Sequence, residues 1–124
     1  MDWKLEVAII PVADVDRARA FYADKLGFNV DVDNRVGDDW RNVQLTPEGS
    51  ACSVAIGTKL VPGLQLVVSG IEAAHEQLAS RGVETTGVVH FENGVQAAGR
   101  GEGPYNSFFF FKDPDGNNWA VQEK

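Results

Sequence analysis

The feature that most constrains this chain is a repeat. Val12, Val15, Asp16 and Ala18 in the first half return in kind and spacing as Val68, Ile71, Glu72 and Ala74, and Gly27 returns as Gly82. Each copy starts where an apolar, β-branched run ends: LEVAIIPV over residues 5–12 and LQLVV over residues 64–68. Such short runs, closed by turn residues, read as strands. A half of roughly 55–60 residues has little core of its own, so two such halves would pair their sheets.

Local signals fill in each half. Asp14 is a good N-cap, and Val15, Ala18, Tyr22 and Leu26 fall near helical spacing, with Gly27 just past the end. Strands are predicted over residues 28–32, 40–45 and 51–57, separated by turns at Asp33-Asn34, at Gly37-Asp38-Asp39 and over residues 47–50. In the second half, Ser69 and Glu72 read as a capping box. Ile71, Ala74, His75 and Leu78 then form a short amphipathic helix that Gly82 ends. A strand is predicted over residues 83–91, then a polar loop over 92–106, then strands over 107–112 and 118–122 joined by the turn DPDGN. Four aromatics, Phe108, Phe109, Phe110 and Phe111, predict a strand buried on both faces. The expected fold is α+β: two βαβββ modules, about residues 3–58 and 63–123, in one domain over 1–124. They form a curved mixed sheet with helices on its convex face and a cavity on its concave face.

Composition narrows the partners. Eleven Lys and Arg against 18 Asp and Glu give a net charge of −7, which argues against binding a nucleic-acid backbone. A single cysteine, Cys52, allows neither an intramolecular disulfide nor a Cys-rich zinc site, and it reads as a small core residue. No apolar run spans a bilayer, and the first residues lack the basic flank and apolar block of a signal peptide. A small-molecule ligand in a cytoplasmic protein, with no nucleic acid and no membrane, is the expectation.

PVADVDRARAFYADKLGF, the paired modules and FFKDPDGNNWAVQE together resemble the vicinal oxygen chelate superfamily, which includes glyoxalase I, bleomycin-resistance proteins and extradiol dioxygenases. His90 before the long loop and Tyr105-Asn106-Ser107 after it resemble a small bacterial glyoxalase-like branch. The resemblance implies the fold just described and a homodimer. Enzymes of the superfamily hold a divalent metal with His, Gln or Glu on the concave sheet, leaving positions open for substrate. The matching positions here are Val7, Ala55, Gly63 and Ala120, whose side chains cannot ligate, so no metal and no cofactor are expected. A shift of one or two positions would substitute Glu6 or Gln122.

Two functions compete on these residues. In the first, a metal-free pocket binds a small, partly apolar or aromatic molecule, lined by Val7, Ile9, Trp40, Gln44, Ala55, Phe110, Ala120 and Gln122. In the second, the chain is a lyase, isomerase or dioxygenase-type enzyme. It would use His90 and Tyr105 as catalytic acid and base, or an unrecognised metal site such as His90 and Glu92 with Glu102 or Gln122. Residues 92–106 read as a lid or as disorder, and Arg100 within them as a solvated charge or a partner for an anionic ligand. His75 reads as a surface histidine.

Overall fold

The computed structural model describes residues 1–58 and 60–124. The chain divides into two compact units: Glu6–Pro62, and Gly63–Lys124 together with Met1–Leu5. Among the described residues, no helix is long and apolar enough to cross a membrane.

The first unit holds β1 (Lys4–Ile9, whose first two residues group with the second unit), α1 (Val15–Ala20), β2 (Asn29–Val36), β3 (Trp40–Thr46) and β4 (Ser53–Thr58). Its strand order is β2-β3-β4-β1, with β1 parallel to β4 and the other neighbours antiparallel. Period-2 alternation sends Val43, Leu45 and Ile56, all fully buried, onto Val15, Ala18 and Tyr22. The Asp14 carboxylate caps α1 by accepting the Arg17 N–H at 3.1 Å. After Ala20 the helix widens into a π turn over Phe21–Lys25, where the Leu26 N–H reaches back to the Phe21 carbonyl at 3.2 Å. The wider turn rotates the residues beyond it about the helix axis. Leu26, expected on the apolar stripe, is therefore 50% exposed. Asp33-Asn34 is not a turn. The β2–β3 register runs unbroken from Val32 to Val36, because Asp33 is a ladder residue held by Arg41 from β3. A bulge between Val30 and Val32 absorbs Asp31.

The second unit holds β5 (Gly63–Val68), α2 (Ile71–Ser80), β6 (Val89–Glu92), β7 (Val95–Ala98), β8 (Phe108–Lys112) and β9 (Asn118–Glu123) in the order β5-β9-β8-β6-β7. Val68, Ile71, Ala74, Phe109 and Val121 form its core, with Trp3, Leu66, Leu78, Val88 and Phe111 against it. The aromatic run alternates: Phe109 and Phe111 lie on the α2 side, while Phe108 and Phe110 stack on the other at 6.2 Å. His75 sits edge-on to Phe109 and bonds the Thr85 hydroxyl at 2.8 Å.

Three sequence expectations fail here. The strand over 83–91 is only Val89–Glu92, with one isolated bridge from Thr85 to Phe111 ahead of it. Part of the loop over 92–106 is a strand, β7, so this module has one strand more than βαβββ. Asn93 and Gly94 both take positive φ (51° and 79°), which a two-residue hairpin turn requires. Asn-Gly is the sequence signal for it. The capping box does not form either. Gly70 is the N-cap of α2 with no side-chain cap, and the Ile71 N–H is taken instead by Glu123 from β9 at 3.0 Å.

Candidate functional site

Each sheet has one face against its helix and one face free of it. In the first unit, Val43, Leu45 and Ile56 define the helix side. Register then fixes the helix-free side: Val7 pairs Ser53, Ile9 pairs Ala55, and Gln44 pairs Ala55. Val7, Ile9, Trp40, Asn42, Gln44 and Ala55 share that face. Val7 and Ala55 are buried, whereas Ile9, Trp40, Asn42 and Gln44 are half-buried. The arrangement is an apolar floor carrying two amides and an indole.

In the second unit, Phe108 pairs Gln122, Phe110 pairs Ala120, and Gln65 pairs Ala120, all on the helix-free face. The Gln65 amide donates to Gln122 Oε1 at 2.8 Å, and Gln122 Nε2 donates to the Tyr105 carbonyl at 2.9 Å. Phe91 meets Phe108 edge-on at 5.3 Å. The face combines stacked aromatic rings with an oriented amide pair. Gln65 is absent from the residues expected there, although a lone Gln inside LQLVV is the available signal.

Strand alternation puts His90 on the other side of β6. Val89 pairs Phe108 and Phe91 touches it, so His90 and Glu92 point away from that face. Both His90 nitrogens are engaged: Nδ1 with the Gly99 carbonyl at 2.9 Å, and Nε2 with the Glu92 carboxylate at 2.8 Å. Two acceptors call for two ring protons. The Glu92 carboxylate first, and the Gly99 carbonyl second, hold the imidazole above its ordinary pKa. Tyr105 is half-exposed in the left-handed region (φ 60°), its N–H donating to the Glu123 carbonyl at 3.1 Å. Among the described residues, no hydrogen bond joins His90 to Tyr105, and no three His, Cys, Asp or Glu side chains converge as metal ligands. Cys52 is half-buried.

Residues 99–106 are tied down rather than loose. Arg100 binds Glu123 through Nε at 2.8 Å and a second guanidinium nitrogen at 2.6 Å. The Gly101 N–H donates to the Ser107 hydroxyl, and the Asn106 side chain takes both the N–H and the carbonyl of Phe91. Arg100, read as a solvated charge or a partner for an anion, is instead spent on the carboxylate that caps α2. A second charge cluster lies under α1. Arg41, nearly buried, is bidentate to Asp33 at 2.9 Å and also bonds Asp16, while Arg19 pairs Asp33 at 3.0 Å. Arg41 holds the Asp16 and Asp33 carboxyls below the usual carboxylate range. The sequence signal is an arginine at an inward position of the alternation Arg41, Val43, Leu45.

A family model, Glyoxalase/Bleomycin resistance protein/Dioxygenase superfamily, matches residues 4–121. The chain belongs to this superfamily. The superfamily's fold is that of both modules. Among solved structures, the chain is similar to methylmalonyl-CoA epimerase from Mycobacterium tuberculosis at 25% identity and a TM-score of 0.71, covering 96% of this chain and 86% of that one. It is also similar to a hypothetical protein from Bacillus halodurans at 15% identity and a TM-score of 0.71, covering 100% of this chain and 96% of that one. No curated protein matches.

The metal of superfamily enzymes does not fit the residues at the matching positions. Val7, Ala55 and Ala120 are buried hydrocarbon. At Gly63 a Cβ would stand 2.2 Å from the Asn118 carbonyl oxygen, so no ligating side chain has room there.

Proposed function

We propose that this glyoxalase/bleomycin-resistance superfamily member binds a small, partly aromatic or apolar molecule without a metal. The single observation behind this reading is the segregation of residue types on the helix-free faces. Val7, Ile9 and Ala55 with Trp40 and Gln44 in one unit, and Phe108, Phe110 and Ala120 with Gln122 in the other, supply apolar surface with a few fixed amides. Such lining suits a flat ligand with one or two polar atoms. The buried hydrocarbon at Val7, Ala55 and Ala120 supports the metal-free part.

The isomerase reading draws on the 25% likeness to an epimerase. It is the weaker one, because His90 turns away from the aromatic face and has both nitrogens bonded. We also propose a homodimer, as the resemblance implies, and a cytoplasmic location, as the composition suggests.

The test titrates planar aromatic compounds and antibiotics against Trp fluorescence, with product analysis on the same samples. We expect a saturable single-site change that Trp40→Phe abolishes, with the compound recovered intact. Turnover that His90→Ala removes would replace this reading with catalysis. Elemental mass spectrometry on protein purified without a chelator or a metal column checks the metal: near-stoichiometric Fe, Mn, Ni or Zn would refute the metal-free part.

A further inference from the structure

We propose that β7 is a self-association edge, where two copies of this chain pair antiparallel about a two-fold axis at Ala97. This pairing rests on the homodimer named above and assigns its contact. β7 is the last strand in its unit's order. The Asn93-Gly94 turn makes Glu92 and Val95 the first hydrogen-bonded pair of the hairpin. Antiparallel pairs alternate, so His90 and Ala97 bond each other, while the Phe91/Gln96 and Val89/Ala98 pairs direct their main-chain groups outward. Independent contacts fix this phase. The Asn106 side chain meets the Phe91 N–H and carbonyl from outside the hairpin, each at 3.0 Å. The Gly99 N–H returns to the Val88 carbonyl at 2.8 Å, where the alternation places the next bonded pair. The N–H and carbonyl groups of Gln96 and Ala98 therefore point off the sheet, and none of them has a main-chain partner among the described residues.

The chemistry of this edge favours a second copy as its occupant. β2, at one end of the first unit's strand order, carries Asp31, Asp33 and Arg35 and a bulge, features that deter edge pairing. β7 reads Val-Gln-Ala-Ala, with no charge, no proline and a regular register, and Val95 is 67% exposed. On a chain of net charge −7, an uncharged strip is where a like-charged copy approaches with least repulsion. The strip is also self-complementary. A two-fold axis at Ala97 sets Gln96 of one copy against Ala98 of the other, so every outward donor meets an outward acceptor. Methyl side chains at Ala97 and Ala98 let the strands close.

The test compares wild type with Gln96→Pro and Ala98→Pro by light scattering across a wide concentration range. Each proline deletes one outward N–H and leaves the inward hairpin bonds intact. We expect a wild-type dimer and monomeric variants with unchanged circular dichroism. Amide exchange on the wild type guards against a variant that misfolds: Gln96 and Ala98 should exchange at least roughly tenfold more slowly in the dimer than at dilutions where it dissociates. A dimer that survives both prolines, with fast exchange at Gln96 and Ala98, overturns the β7 assignment and leaves the homodimer standing. A monomer at every concentration overturns both. Slow exchange in a monomer with a co-purifying peptide in its mass spectrum would assign the edge to an extended peptide and overturn self-pairing.

Discussion

The two modules descend from one pattern, yet they anchor their helices by different means. In the first, α1 is six residues long, gives way to a π turn and buries no residue fully. Its sheet face mixes Val43, Leu45 and Ile56 with Arg41 and Asp33, which pair with Asp16 and Arg19 of α1. In the second, α2 runs for ten residues, buries Ile71 and Ala74 against Phe109 and Val121, and is capped by a carboxylate from a distant strand. A repeat in sequence thus specifies which face is covered, not what covers it. Where the helix is short, ion pairs between helix and sheet complete the face; where it is long, hydrocarbon covers the face and a carboxylate caps only its end.

The contrast between the modules breaks most visibly at Phe109, which is fully buried at the centre of the second one. Phe109→Ala should cost about 3–5 kcal/mol, the usual range for emptying a packed aromatic site. Urea unfolding gives the magnitude. Hydrogen exchange then shows whether β8 and β9 lose protection first, as an apolar anchor centred on Phe109 requires.

The counterpart in the first module is Arg41→Met, which keeps most of the volume and removes the charge. Its side chain is 10% exposed, but Asp33 and Asp16 are 29% and 81% exposed, so solvent screens part of the loss. We expect about 2–3 kcal/mol, less than the removal of one partner from a fully buried pair. Arg41→Met combined with Asp33→Asn should cost less than the two single changes added together, since the pair is already broken. Strict additivity would mean the cluster does not anchor α1.

Glu123→Gln sharpens the contrast from the other side. The amide oxygen can still accept the Ile71 N–H, but the ion pair with Arg100 is lost. The expected cost is about 1–2 kcal/mol, read as a drop in Tm that Arg100→Gln largely reproduces. Exchange at Ile71 should rise less than in Glu123→Ala, where the cap itself is gone.

Legibility in the sequence divides along the same line. Alternation along residues 40–45 and 108–111 groups the side chains of each strand by face from local periodicity, and the superfamily resemblance supplies which face turns from the helix. Long-range polar pairing is not legible. Ser69 and Glu72 read as a capping box because the motif is local, whereas Glu123 caps α2 from across the sheet and leaves no trace in adjacent residues. Leu26 matches a 3.6-residue stripe, but one π turn is enough to turn it outward. Asn93-Gly94 is a legible hairpin signal, masked by the polar residues that make its surroundings read as loop. At the candidate site, Val7, Ile9, Gln44, Ala55, Phe110, Ala120 and Gln122 fall on the helix-free faces because strand parity determines them. His90 stands out for its chemistry, and parity carries it to the opposite side of β6.

The smallest expected effect is in pH, and it should have opposite sign in the two modules. Arg41 lowers the Asp33 and Asp16 carboxyls from their ordinary value of 3.8. A lowered folded pKa stabilises the protein above the unfolded value, and that stability is lost as pH falls through the folded one. The first module should therefore loosen on acidification below pH 3.8. Glu92 and the Gly99 carbonyl raise His90 from 6.5. A raised folded pKa stabilises fully below the unfolded value, and that stability is lost as pH rises through the folded one. The β6–β7 hairpin should therefore loosen as pH climbs above 6.5, at the point where Nε2 can no longer donate to Glu92 and still donate from Nδ1 to Gly99. Exchange of the Val95 and Ala97 amides against pH measures this alkaline limb, and exchange of the β3 amides measures the acid one. His90→Gln should flatten the first curve and leave the second unchanged, while Arg41→Met should do the reverse. If either substitution flattened both curves, the two anchors would not be separate.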